Sequence, residues 1–258
     1  MPRLFYLLCT ASLLGMASNT IHTERPVHVF IFSGQSNMSA MDPRRGFLSE
    51  AQRLFPNAEI EYLHVAQSGA PIRLWIDEWN LIAARHGVKQ RMGNGARRNY
   101  RQILSQYRRI LQEHPHPASV TFCWMQGERD ATEKISKTYR EALTQLISNL
   151  RRDLKQPDLN VVIGRISDHG ARSIDWQTIR RDQVSVATQD SRGAWIDCDD
   201  LNDKRNNHGF RINDLHYTQA GYATLGRRFA HQAAKLIAGK PPATDGRPTR
   251  DAVVTAKN

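Results

Sequence analysis

Val27-His28-Val29-Phe30-Ile31-Phe32-Ser33-Gly34-Gln35-Ser36-Asn37-Met38 reads as a buried strand followed by the turn that ends it. Five of its first six residues are apolar or aromatic, a run too continuous for a strand with one wet face. Ser33-Gly34-Gln35-Ser36-Asn37 is too small and too polar to continue that run. A hydrophobic strand that stops in a tight, serine-bearing turn can present a nucleophile at the edge of a parallel sheet. On local pattern alone, an ordinary polar turn explains the stretch equally well, so the rest of the chain must discriminate.

Further strands follow at intervals. Residues 60–65 alternate apolar and polar and run into Ala66-Gln67-Ser68-Gly69-Ala70-Pro71, a second small-residue turn. Residues 119–125 form a third strand, which leads into Gln126-Gly127-Glu128-Arg129-Asp130-Ala131. Residues 161–166 and 194–198 form a fourth and a fifth. Between them lie segments with helical apolar spacing, at 47–55, 99–113, 138–154 and 175–188, and a last helix begins near Thr218. Residues 76–98 carry no readable period, and the Gly-Asn-Gly at 93–95 suggests a loop. Residues 199–213 read as a polar loop. Strands alternating with helices predict an α/β fold with a parallel sheet of about five strands and helices on both faces. Such a sheet gathers its polar strand ends on one edge, where sites form.

The ends of the chain stand apart. Arg3, the apolar run 4–16 and the small residues after it have the layout of a secretory signal peptide over residues 1–20, with cleavage near Ala17. The run is short for a membrane span, so export is expected, with an uncleaved anchor as the alternative and no stable membrane insertion after cleavage. One domain, residues 21–239, accounts for the body of the chain. Residues 240–258 mix Pro, Gly and charge without apolar period and read as a loose or disordered tail.

Composition narrows the function classes. At 258 residues, with 40% hydrophobic and 24% charged residues, the chain resembles an ordinary globular protein. The net charge of +11 comes largely from paired arginines on helices, which read as solvated faces. No nucleic-acid motif accompanies them, so no nucleic acid is expected as partner. Cys123 and Cys198 fall in buried strands and read as small hydrophobes rather than a bridge. Without Cys-x-x-Cys or His-Glu-x-x-His, a protein-bound zinc site has no support, and no metal is expected. The prolines around His114 and His116 make that pair a solvated turn.

An acyl-transfer site needs a nucleophile, a base, a group that orients the base, and donors for the oxyanion. Ser36 ends the first strand, and His216 precedes the last helix beside an acidic residue. Backbone amides at Ser36 and Gly69, with the side-chain amide of Gln126, are candidate oxyanion donors. Taken singly each is weak; together they occupy the expected strand ends.

Gly34-Gln35-Ser36-Asn37-Met38, Trp124-Met125-Gln126-Gly127-Glu128-Arg129-Asp130-Ala131 and Asp214-Leu215-His216-Tyr217 with Gly221 resemble the serial blocks of the SGNH (GDSL-like) hydrolases. The sialate O-acetylesterase and acetylxylan esterase branch is the most similar. The resemblance covers residues 27–230 and implies a three-layer α/β/α, flavodoxin-like fold. It implies a cofactor-free serine carbohydrate esterase acting on acetylated xylan-type polysaccharide or sialic acid, with Ser36 as nucleophile and His216 as base. Gly69, followed by Ala70-Pro71-Ile72 and Trp75, is similar to the family's glycine block, and Gln126 stands where other members have asparagine. Many members carry the orienting aspartate three residues before the histidine. Here Asn213 holds that position, so Asp214 is the expected third member and Asn213 the alternative. Asn37, Glu128 and Asp130 are expected to support the site. A lipid or aryl esterase, and a non-catalytic carbohydrate-binding relative, are the competing readings.

Overall fold

The computed structural model describes residues 25–92 and 97–248. The leader-like residues 1–20, the Gly-Asn-Gly at 93–95 and the end of the tail, 249–258, lie outside the described residues.

Five parallel strands form the sheet: β1 (Val27–Gly34), β2 (Glu59–Ala66), β3 (Ser119–Met125), β4 (Asn160–Gly164) and β5 (Gly193–Ile196). Their order is β2-β1-β3-β4-β5, the flavodoxin-like order, and every neighbouring pair is parallel. The order reverses at β1, so the crevice at the carboxyl ends of β1 and β3 is the switch point where such sheets bind ligands. Ser36 and Gln126 both leave the sheet there.

The sheet is buried on both faces because its residues alternate between two cores. Val29 and Ile31 of β1, with Val120, Phe122 and Trp124 of β3, pack on one side among residues of α4 (Arg98–Glu113), α6 (Tyr139–Asp153) and α7 (Ile174–Gln189). Phe30 and Phe32, with Cys123 and Met125, pack on the other against α2 (Phe47–Leu54) and α8 (Gln219–Ile237). Phe47 makes edge contacts with Phe30 and Phe32 at ring-centroid distances of 4.8 and 4.7 Å. Fully burying each such ring contributes roughly 2 kcal/mol by transfer. This is the three-layer arrangement that the strand-helix alternation predicts. Cys123 and Cys198 are both free and buried.

Four differences from the sequence reading have physical causes. The unread region holds α3 (Trp79–Arg85), whose Trp79, Ile82 and Ala83 are buried. Seven residues give too few turns for a period to show. Two five-residue helices, α1 (Ser36–Ala40) and α5 (Glu128–Thr132), follow β1 and β3 and are shorter still. The polar loop contains an antiparallel hairpin, β6 (Asp203–Arg205) and β7 (Arg211–Asn213), which has no buried face to impose alternation. The tail is not loose over its described part. Gln232 holds Ala243 by both its amide groups, at 3.0 and 3.1 Å. Gly246 accepts the Asp197 N–H at 2.8 Å, and Arg247 pairs with the Asp197 carboxylate at 2.8 Å. Such capture is polar and local, and composition does not report it. Among the described residues, no helix is long and apolar enough to cross a membrane.

Candidate active site

The end of β1 places Ser36 through a close approach of two strands. Gly34 has φ +149°, and a Cβ there would sit 1.9 Å from the Met125 carbonyl oxygen, so only glycine fits. The next N–H, that of Gln35, donates to the same carbonyl at 3.0 Å. Ser36 then opens α1. His216 lies between β7 and α8, two residues before Thr218, whose hydroxyl caps α8 by accepting the Gly221 N–H at 3.0 Å. The His216 Nε2 is 3.0 Å from the Ser36 Oγ. With the ring proton on Nδ1, the serine hydroxyl donates to Nε2, as a nucleophile-base pair requires. Gly69, in the turn after β2, has φ +67° and open space where a side chain would stand. Ser36, Gly69 and His216 line one open cavity of about 440 Å³.

Asn37 links the two halves of this site. Its Nδ2 donates to the Leu215 carbonyl at 3.1 Å and to the Glu128 Oε1 at 3.0 Å. Its Oδ1 accepts from the Tyr222 hydroxyl at 3.0 Å, and that hydroxyl in turn accepts the Tyr217 N–H at 3.3 Å. The residues on both sides of His216 are thus tied to the residue after Ser36. Burial pushes the Glu128 carboxyl above its ordinary range, opposed by the Asn37 hydrogen bond. Asp130 braces the glycine turn: its Oδ2 accepts the Ile72 N–H at 3.0 Å and also a proton of the Gln126 amide. Burial pushes its carboxyl up to about 7. The Trp75 indole donates to Ser33 Oγ at 2.9 Å, and that hydroxyl donates to the Val65 carbonyl at 2.6 Å, joining β1, β2 and the segment that follows β2.

Two expected roles do not match the observed contacts. Asp214 makes no hydrogen bond to the imidazole ring. Its Oδ1 accepts the backbone N–H of His216 at 3.0 Å, and its Oδ2 pairs with Lys204 at 3.0 Å. These two partners hold its carboxyl below the usual range. Asn213 is no substitute, because its amide lies between Asp168, at 3.0 Å, and Asn202, at 2.7 Å. Among the described residues no side chain hydrogen-bonds the His216 Nδ1. An aspartate two residues before the histidine closes on the backbone, a short-range Asx-type contact that competes with the ring. Gln126, the expected third oxyanion donor, is fully buried, and its Nε2 already faces the Ala70 carbonyl at 3.1 Å, the Gln35 Oε1 at 3.2 Å and Asp130.

The cavity is also lined by Arg129, Thr132, His169 and Trp176, none of them expected at the site from the sequence. The last two follow β4, a strand-end position that parallel-sheet topology marks out. His169 Nδ1 is 3.1 Å from the Asn213 carbonyl, and the Trp176 indole donates to the Ser167 carbonyl at 2.6 Å. One convergent group of metal-ligating side chains occurs among the described residues, Glu59, Glu61 and His114. It lies at the opposite end of β2 from the cavity, and His114 is 3.8 and 3.9 Å from the two carboxylates, an ion-pair spacing.

The family model described as carbohydrate esterase, sialic acid-specific acetylesterase matches residues 39–235, well over half of the chain, and spans His216 while beginning just after Ser36. The chain belongs to this family. It is therefore a member of a carbohydrate esterase family with the SGNH-type α/β fold. Solved structures agree on that fold. A protein from Arabidopsis thaliana is similar with TM-score 0.58 and 18% identity, over 81% of this chain and 98% of that one. A carbohydrate acetylesterase from Xanthomonas citri matches with TM-score 0.58 and 17% identity, over 83% of this chain but 57% of its own length. NanS matches with TM-score 0.53 and 15% identity, over 80% of this chain and 96% of its own. No curated protein matches the chain by sequence.

Proposed function

We propose that this carbohydrate esterase is a serine O-acetylesterase working through an acyl-enzyme. The observation that carries the proposal is the 3.0 Å contact between His216 Nε2 and Ser36 Oγ in an open cavity at the sheet's switch point. In this reading Ser36 Oγ attacks the acetyl carbonyl carbon while His216 Nε2 takes its proton. The backbone N–H groups of Ser36 and Gly69 receive the oxyanion. The tetrahedral species collapses by breaking the bond to the sugar oxygen, which takes the proton back from Nε2. Water, deprotonated by the same nitrogen, then attacks the acetyl-serine; the bond from the acetyl carbon to Oγ breaks as Nε2 returns its proton to Oγ, and acetate leaves. Acetylated polysaccharide of the xylan type and acetylated sialic acid are the substrates proposed, on family membership and the open cavity, which Arg129, His169 and Trp176 help to line. The leader-like residues 1–20 support an exported enzyme.

The test is acetate release from acetylated xylan, acetylated sialic acid and an aryl acetate, run on cells and on medium. Activity is expected on at least one ester and chiefly outside the cells, with Ser36→Ala lowering kcat by at least about three orders of magnitude. A Ser36→Ala protein as active as the native one would remove Ser36 as nucleophile. Activity confined to the cells would remove the export reading.

A further inference from the structure

The oxyanion site described above has two backbone donors, while the side chain expected as a third, Gln126, has no proton to spare. Its Nε2 carries two hydrogens and faces three acceptors. One of these, the Ala70 backbone carbonyl, can only accept and fixes which end of the amide is nitrogen. Its Oε1 is correspondingly buried without a partner.

The neighbouring amide is in the opposite situation. The Gln35 Oε1 accepts the backbone N–H groups of Gly127 at 3.3 Å and Arg129 at 3.2 Å, besides the Gln126 Nε2. Backbone N–H groups can only donate, so this end of the Gln35 amide is oxygen and the nitrogen must lie on the other side. Gln35 is 97% buried (3% exposed) and lines the cavity with Ser36 and Gly69. Its Nε2 has no hydrogen-bond partner among the described residues, and it is not one of the buried polar atoms shut away from the cavity and solvent. An otherwise enclosed amide thus leaves its two N–H donors without a partner, on a residue that lines the cavity holding Ser36.

We infer that Gln35 is a catalytic residue, its Nε2–H donating to the oxyanion beside the N–H groups of Ser36 and Gly69, with Gln126 acting as the positioning residue that holds it. The inference rests on the esterase reading. The Gln35 backbone is fixed to the Met125 carbonyl and its Oε1 by three N–H groups, so the donor needs no reorganisation when negative charge develops. No bond to Gln35 forms or breaks; it stabilises the tetrahedral species and releases it unchanged. Gln126, through its bonds to Gln35, Asp130 and the Ala70 carbonyl, joins the donor to the glycine turn.

Two substitutions test this. Gln35→Glu keeps the oxygen that accepts from Gly127 and Arg129 and removes the N–H. Gln35→Met is neutral and of similar length, and removes the donor without adding charge. Each is expected to lower kcat on the esters by about 10²- to 10³-fold with little change in KM. Each should weaken inhibition by methylboronic acid, whose serine adduct mimics the tetrahedral species, by a comparable factor. At least one should retain the native melting temperature. A native enzyme that cleaves esters, with a folded variant within about threefold of its kcat and an unchanged boronate affinity, would overturn the assignment while leaving the esterase reading intact. A native protein inert to every ester would overturn both.

Discussion

Asp214 carries the sharpest residue-scale consequence. Where a carboxylate holds the ring of a catalytic histidine, replacing it by asparagine costs about 10⁴ in kcat, chiefly through the wrong tautomer. Here the carboxylate holds the backbone N–H of His216, and asparagine can accept that bond equally well. Asp214→Asn is therefore expected to keep kcat within about tenfold of the native value. Steady-state kinetics on an aryl acetate check this, and a 10⁴-fold loss would mean that the carboxylate reaches Nδ1 during turnover. Ser36, Gly69 and His216 were legible in the sequence, since motif and strand-end position both name them. The partner of each amide was not. Whether Gln35 or Gln126 has a free proton depends on which oxygens lie within 3.3 Å of each nitrogen, and no one-dimensional pattern encodes that.

Among the elements, α4, α6, α7 and α8 were readable because each runs 15 residues or more, enough turns for the apolar face to repeat. α3 and the β6–β7 hairpin were not, being short and held by contacts rather than by their own period. The hairpin nevertheless matters to the site: Lys204 of β6 pairs with Asp214, and the Asn213 carbonyl of β7 meets His169. The stretch after α8 has a similar character. Residues 243–247 bond Gln232 and Asp197, and Gly246 lies so close to Trp195 that a Cβ would approach its ring to 2.5 Å. Ending the chain after Lys240 should thus remove buried hydrogen bonds and uncover Trp195, at a cost of about 2 kcal/mol. For a domain of this size that lowers Tm by roughly 4–8 °C, measurable by calorimetry. An unchanged Tm would return the segment to the loose tail that its composition suggests.

Across the whole molecule, the loops after β2 and β3 are joined by one buried carboxylate. Asp130 connects Ile72 to Gln126, and burial raises its pKa to about 7. Below about pH 4 the group is protonated in both folded and unfolded chains, and its burial carries no ionisation penalty. Between about pH 4 and 7 the unfolded chain ionises while the folded one holds its proton, so this contribution to stability is lost as pH rises. Asp130→Asn has no such titration. The melting temperature of the native protein minus that of the variant should fall from pH 4 to pH 8, and a flat difference would show that Asp130 ionises normally in the fold. The layered α/β architecture, the parallel sheet and the residues at its carboxyl edge follow from local sequence, because burial period and strand-end composition are local properties. The strand order that brings β1 beside β3, the capture of Asp214 by a backbone amide and the division of labour between Gln35 and Gln126 arise only on folding. Each depends on groups about 90 or more residues apart, or on competition among neighbours for a single proton, and only three-dimensional packing resolves such competition.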